Sequence, residues 1–222
     1  MRSGLCLALP ALLFAATASA EIPGALLALD VRLPPSPGRY PEGAPPRFVL
    51  LEKGQFFVGG QRQIAGGKLD GAEMKALETR LQRIRKLQGL GSQVTFGLGG
   101  GRYRLQVFGK HPLEITATGD PKSAAPALQP LASLLQELED FDHPSLRFLR
   151  PDLFLLVARD GALPGGCRRW SFGFLPTEAG GGRVISAAEA ADWPQGVDAA
   201  QACLGQQRFV VTLRPLFPGE RP

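Results

Sequence analysis

Glycine and proline set the scale of what this chain can build, with 28 glycines and 20 prolines among its 222 residues. Proline fixes φ and lacks a backbone donor, and glycine favours turns, so the chain is punctuated into short elements separated by turns. An apolar share of 44% against 20% charged residues fits a globular chain, so these short elements must share a packed core.

The first twenty residues, MRSGLCLALPALLFAATASA, read as a secretory leader. Arg2 supplies a positive start, Leu5 to Ala16 form an apolar stretch, and Ala18-Ser19-Ala20 gives the small-x-small pattern of a signal-peptidase site. The stretch is shorter than the roughly 18 residues that span a bilayer as a helix, and no later stretch reaches that length. Cys6 lies too early, with no small-residue motif before it, for a lipidation site. The expected mature chain therefore begins at Glu21, without a transmembrane anchor, in the periplasm or secreted. The Ala, Gly, Arg and Pro bias fits a bacterial source. The remainder is long enough for one large domain or two small ones. A formal charge of +5 is a mild excess, with no cluster of cations interleaved with aromatics, and so does not point to nucleic acid.

Residues 21–46 carry seven prolines and read as an extended lead-in, in which Leu26 to Leu33 has room for a single edge strand. From Arg47 the pattern changes. RFVLL-EKG-QFFV predicts a hairpin. Asp70 followed by Glu73 forms a capping-box match at the head of a helix over about 70–88, with Met74, Leu77, Leu81, Ile84 and Leu87 on one face. Arg80, Arg83, Arg85 and Lys86 crowd its last turns. Two or three strands follow, including an alternating one over Arg102 to Phe108, and GLGGGR (97–102) reads as the hairpin turn joining two of them. A second helix is predicted over about 126–140, with Leu128, Leu131, Leu134, Leu135 and Leu138 as its core stripe and with Pro130 either in its first turn or shifting its start. Beyond 146 the chain reads as mostly β. CRRWSFGFL is expected as a strand, Ser186 and Glu189 open a short helix near 187–192, and AAQACL-GQQ-RFVVTLRPL closes as a hairpin. The expected fold is α+β, with helices on mainly antiparallel sheets of short strands. Its regions are 47–145 (α+β) and 146–222 (β-rich), either separate or packed as one domain.

Complete catalytic constellations are scarce. GLGGGR departs from the dinucleotide fingerprint at Arg102, and GGQRQIAGGK departs from a phosphate-binding loop at Arg62 and Leu69. His111, His143, Cys167 and Cys203 form none of the close pairs that prearrange a zinc site, and Glu137, Glu139, Asp140 and Asp142 read as a solvated helix end. No cofactor or metal is expected. FDHPS places Asp142, His143 and Ser145 together and invites a hydrolase triad, but neighbours along one strand or turn are expected to point apart. The expected role of Asp142 and His143 is to close the second helix. Cys167, flanked by Arg168 and Arg169, resembles an activated thiol. In an oxidising compartment, however, the two cysteines left after leader cleavage favour a Cys167–Cys203 bridge worth roughly 3 to 4 kcal/mol in the chain-entropy model. Trp170 is expected in the core with Phe172 and Phe174, while Arg168, Arg169 and a partly exposed Trp193 make a candidate interaction surface.

The functional expectation is an exported envelope protein acting as a non-catalytic binding or interaction module toward an envelope protein or cell-envelope component. The alternatives are a periplasmic hydrolase using His143 or His111 with Ser145 or a carboxylate, and a structural envelope protein.

Overall fold

The computed structural model describes residues 22–32, 47–59, 63–194 and 199–221, so the leader and the most proline-rich part of the lead-in lie outside the described residues. The fold is α+β, with two mostly antiparallel sheets. The first contains β1 (Ala25–Arg32), β2 (Phe48–Leu51), β3 (Gln55–Gly59), β4 (Ile64–Lys68), β5 (Gln93–Thr95), β6 (Gly101–Val107), β7 (Leu113–Gly119) and β8 (Arg147–Leu149). Their spatial order is β5-β7-β6-β1-β2-β3-β4-β8. Helix α1 (Gly71–Arg85) follows β4, and α2 (Gln129–Glu139) precedes β8. The second sheet contains β9 (Leu153–Asp160), β10 (Arg168–Arg169), β11 (Arg183–Ser186), β12 (Ala200–Leu204) and β13 (Gln207–Pro215), in the order β10-β12-β13-β9-β11. The short α3 (Ala187–Ala190) leaves β11 through a capping box made by Ser186 and Glu189.

The apolar runs of β1 to β3 are continuous rather than alternating because both faces of this part of the sheet are covered. Leu27, Leu29, Phe48, Leu50 and Phe56 point into the core shared with the helices. Their neighbours Ala28, Val49 and Phe57 meet Phe217 on the other face. Phe217 reaches that face because the chain folds back after β13. Arg214, buried on β13, pairs with the buried Glu220 at 2.6 Å, and Glu220 also accepts the Phe217 N–H at 2.9 Å. Gly59 is required beneath the Phe217 ring, since a Cβ there would lie 2.3 Å from Cζ.

Three expectations need correction. Residues 25–32 are not an edge strand; β1 is central, paired with β2 on one side and β6 on the other. The prolines that argued for an extended lead-in flank this strand instead of interrupting it. The loop 97–102 is not a hairpin turn, because β5 pairs in parallel with β7, not with β6. Its glycines serve a crossing: a Cβ on Gly100 would lie 2.3 Å from the Gly119 carbonyl carbon, and one on Gly119 would lie 2.6 Å from the Gly97 oxygen. Lastly, CRRWSFGFL is a strand only at Arg168–Arg169. Beyond it the chain bends so that Trp170, Phe172 and Phe174 pack together, edge to face at Trp170–Phe172 with centroids 5.0 Å apart and stacked at Phe172–Phe174 with centroids 5.5 Å apart. Aromatic packing outweighs strand pairing there.

Candidate functional site

Cys167 and Cys203 are joined, with Cα atoms 5.8 Å apart, and the bridge staples β10 to β12. This removes the thiol as a nucleophile. Arg168 and Arg169 beside it are exposed, and Arg168 Nη1 donates to the Asp192 carbonyl at 2.7 Å. Trp193 does not belong to an exposed surface. It is 3% accessible and packs against Phe172 at 5.4 Å, because the turn after α3 folds its ring into the second core. The expected Arg168/Arg169/Trp193 surface is reduced to two arginines. Trp170 is buried as expected, its indole N–H donating to the Phe174 carbonyl.

The FDHPS segment does bring side chains together, contrary to the expectation that they diverge. His143 and Ser145 sit on a tight turn closed by the Leu146 N–H to the His143 carbonyl at 2.9 Å. This turn brings Nδ1 of His143 within 2.7 Å of Ser145 Oγ and 3.1 Å of the Ser145 backbone N–H. The acid at the other ring nitrogen is Glu73 of α1, whose Oε1 lies 2.9 Å from Nε2; Asp142 is exposed and takes no part in this chain of contacts. Because Nδ1 accepts the Ser145 N–H, the network assigns the ring proton to Nε2, facing Glu73. Glu73 Oε2 accepts the Asp70 N–H at 2.7 Å as part of the capping box. That bond and the His143 ring together hold the Glu73 carboxyl below its ordinary value.

Serine, histidine and glutamate thus stand in line, but the hydroxyl is already engaged. Lys68 N–H donates to Ser145 Oγ at 2.9 Å, and the one hydroxyl proton faces Nδ1 of His143 at 2.7 Å, with the Lys68 carbonyl a longer alternative acceptor at 3.1 Å. Ser145 thereby ties the end of β4 to the His143 turn. Gly67 makes room for it, since a Cβ there would stand 2.5 Å from Oγ. The array links the end of β4, the first turn of α1 and the loop before β8, which is a structural tie.

A second feature lies on the other flank of α1. A groove of about 620 Å³, within the range of small-molecule sites, opens between the helix, β1, β2 and the end of β6. Its walls include Leu27, Leu50, Met74, Leu77, Leu81 and Val107. Gly71, Met74, Lys75, Glu78, Leu81 and Arg85 follow three-four spacing and so occupy one helix face. Lys75, Arg85, Lys110 and His111 contribute to the lining with a single carboxylate, Glu78. The Nε of Arg85 is shielded from solvent and meets no acceptor among the described residues. Ser145 and His143 do not line this groove, whereas His111 does.

Other titratable groups do not form a reactive set. Tyr103 is pushed up to about 12 by burial and by Glu139, so its hydroxyl stays protonated. Burial raises the Asp30 carboxyl despite Arg32, Arg104 and Arg214 nearby. Among the described residues no three His, Cys, Asp or Glu side chains converge as metal ligands, and no helix is long and apolar enough to cross a membrane. Comparison with known protein families, curated proteins and solved structures returned no significant match.

The groove was partly legible in the sequence. The apolar stripe of α1 was visible, as was the crowding of its last turns by Arg80, Arg83, Arg85 and Lys86. That the stripe's flank stays open over β1 and β6 depends on sheet order, which local patterning does not encode. Glu73 was legible as a capping residue; its second role needed the loop before β8 to return to α1.

Proposed function

We propose that the protein is an exported bacterial envelope protein that works as a non-catalytic binding module, with the groove beside α1 as its ligand site. The observation that carries this reading is the groove itself: Met74, Leu77 and Leu81 are only half-buried and line a concave, largely apolar space of small-molecule size. The leader-like residues 1–20 and the Cys167–Cys203 bridge support an oxidising destination outside the cytoplasm. Mass spectrometry of the native protein tests export processing, with a mature chain starting at Glu21 expected and one starting at Met1 opposed to it. The ligand reading is tested with a neutral environment-sensitive fluorophore, N-phenyl-1-naphthylamine. Saturable fluorescence gain that Leu77→Trp abolishes while leaving the melting temperature unchanged supports it. Gain that is unsaturable, or indifferent to that substitution, counts against it and returns the balance to a purely structural envelope role.

The hydrolase reading has one observation in its favour, the Ser145–His143–Glu73 line with contacts of 2.7 and 2.9 Å. Against it, Ser145 Oγ already accepts the Lys68 N–H at the end of β4, and the groove that would admit a substrate lies elsewhere. Incubation with a fluorophosphonate followed by peptide mapping separates the readings. No label at Ser145 is expected; labelling that disappears in His143→Ala would make the protein a hydrolase.

A further inference from the structure

We infer that the groove beside α1 takes a single-chain amphiphile with an anionic head group, carboxylate or phosphate. This rests on the groove being the ligand site and adds the chemistry of its occupant. The apolar part follows from Leu26, Met74, Leu77, Leu81 and Phe108, the lining residues that keep accessible hydrocarbon for a ligand body. The charge follows from the remaining lining. Lys75, Arg85 and Lys110 stand against Glu78, and among the described residues none of the three cations has an acidic partner.

Position decides where the head lies. Glu78 is one turn from Lys75 and offsets it, whereas Arg85 lies two turns further on, about 10 Å along the axis. On the helix face the uncompensated charge is therefore Arg85. The helix C-terminus contributes about half a negative charge there, less than one cation. No carboxylate among the described residues pairs with the Arg85 guanidinium, so a carboxylate or phosphate head group would supply its counter-charge. A neutral ligand would leave that charge uncompensated, and a cationic amphiphile would add repulsion.

The test is isothermal titration of the full chain, processed as the cell processes it, at low ionic strength and below the aggregation threshold of each probe. Decanoate and decyl phosphate are expected to bind at least about tenfold tighter than 1-decanol, with decyltrimethylammonium weakest. The ranking of the two anions identifies the head group. Dodecanoate should bind about tenfold tighter than decanoate, the effect of two further buried methylenes. Arg85→Gln should remove the preference for decanoate over decanol while leaving decanol binding and the melting temperature unchanged. Equal binding of decanol and decanoate would overturn the anionic head and leave the groove as a ligand site. Failure of all four ten-carbon probes would overturn the groove reading as well. A chain that sediments as a dimer and takes up no decanoate would place a second copy over this face and overturn the inference.

Discussion

Helix α2 buries Leu131, Ala132, Leu134, Leu135 and Leu138 and has no side-chain cap at its N-terminus. Helix α1, 15 residues against 11, fully buries only Ile84 and is capped reciprocally by Asp70 and Glu73. Both contribute to one core cluster, yet one is held by its face and the other largely by its first turn and one ion pair. The ties on α1 are specific: Asp70 accepts the Ala72 and Glu73 N–H groups at 2.8 Å, Glu73 reaches His143, and Arg80 meets Glu137 of α2 at 2.6 Å. A helix anchored in this way does not need its whole apolar stripe covered. Met74, Leu77 and Leu81 can therefore line a groove, whereas the corresponding side chains of α2 fill the core. The difference locates the place where binding can evolve without dismantling the core.

The largest expected effect separates the faces. Leu135→Ala removes a side chain only 1% accessible and should cost about 2–5 kcal/mol. Leu77→Ala, on the groove, should cost less than half of that, because the removed atoms already border open space. Urea unfolding with a shared m-value measures both. Equal losses would mean that α1 is packed as tightly as α2, and the comparison would fail. Enlargement should act in the opposite sense. Leu134→Phe overfills a fully buried site and should cost about 1–3 kcal/mol. Leu81→Phe has the groove to enter and should leave stability within about 0.5 kcal/mol of the parent. A Leu81→Phe protein as unstable as Leu134→Phe would show that the groove cannot accept added bulk.

Much of this contrast was readable beforehand. Spacing identified both stripes and the Asp70/Glu73 box, because helical periodicity and capping are local properties of the chain. Pro130 constrains the start of α2: the helix begins at Gln129 and not near 126, which puts Pro130 in its first turn, where its missing N–H has no helical acceptor to lose. The order of strands was not readable. The parallel insertion of β7 between β5 and β6 turned an apparent hairpin loop into a crossing, and a lead-in suited to an edge became a central strand. Trp193 was misplaced for a related reason: a tryptophan before a proline after a short helix carries no local sign of the aromatic cluster it joins. Of the candidate site, His143 and Ser145 were found together, but their partner Glu73 lies 70 residues away. Only the folded arrangement of α1 against the loop before β8 brings it there.

A smaller effect tests how α1 is held. Asp70→Ala removes the acceptor for two backbone N–H groups and should cost about 1 kcal/mol. Hydrogen exchange should quicken first in the first turn of α1 and leave α2 unaffected, since α2 has no such cap to lose. Protection lost equally in both helices would mean that they open as one unit.

The smallest effect depends on pH and isolates the tie between Glu73 and His143. The Asp70 N–H and the His143 ring hold the Glu73 carboxyl below its ordinary value of 4.5 in the folded chain. The unfolded chain therefore binds the proton first as pH falls, and stability contributed by the ionised carboxylate is present above about pH 4.5 and lost as pH drops through the lower folded value. Glu73→Gln keeps the side-chain oxygen for the cap but carries no charge to lose. Its thermal stability should fall slightly below the parent at pH 7, and the two should converge as pH is taken below 4. Ser145→Ala, which leaves the carboxylate in place, should instead lower stability by a similar amount at both ends of that range. A Glu73→Gln deficit that persists unchanged in acid would show that the tie acts through shape and hydrogen bonding alone, and that charge plays no part in anchoring α1.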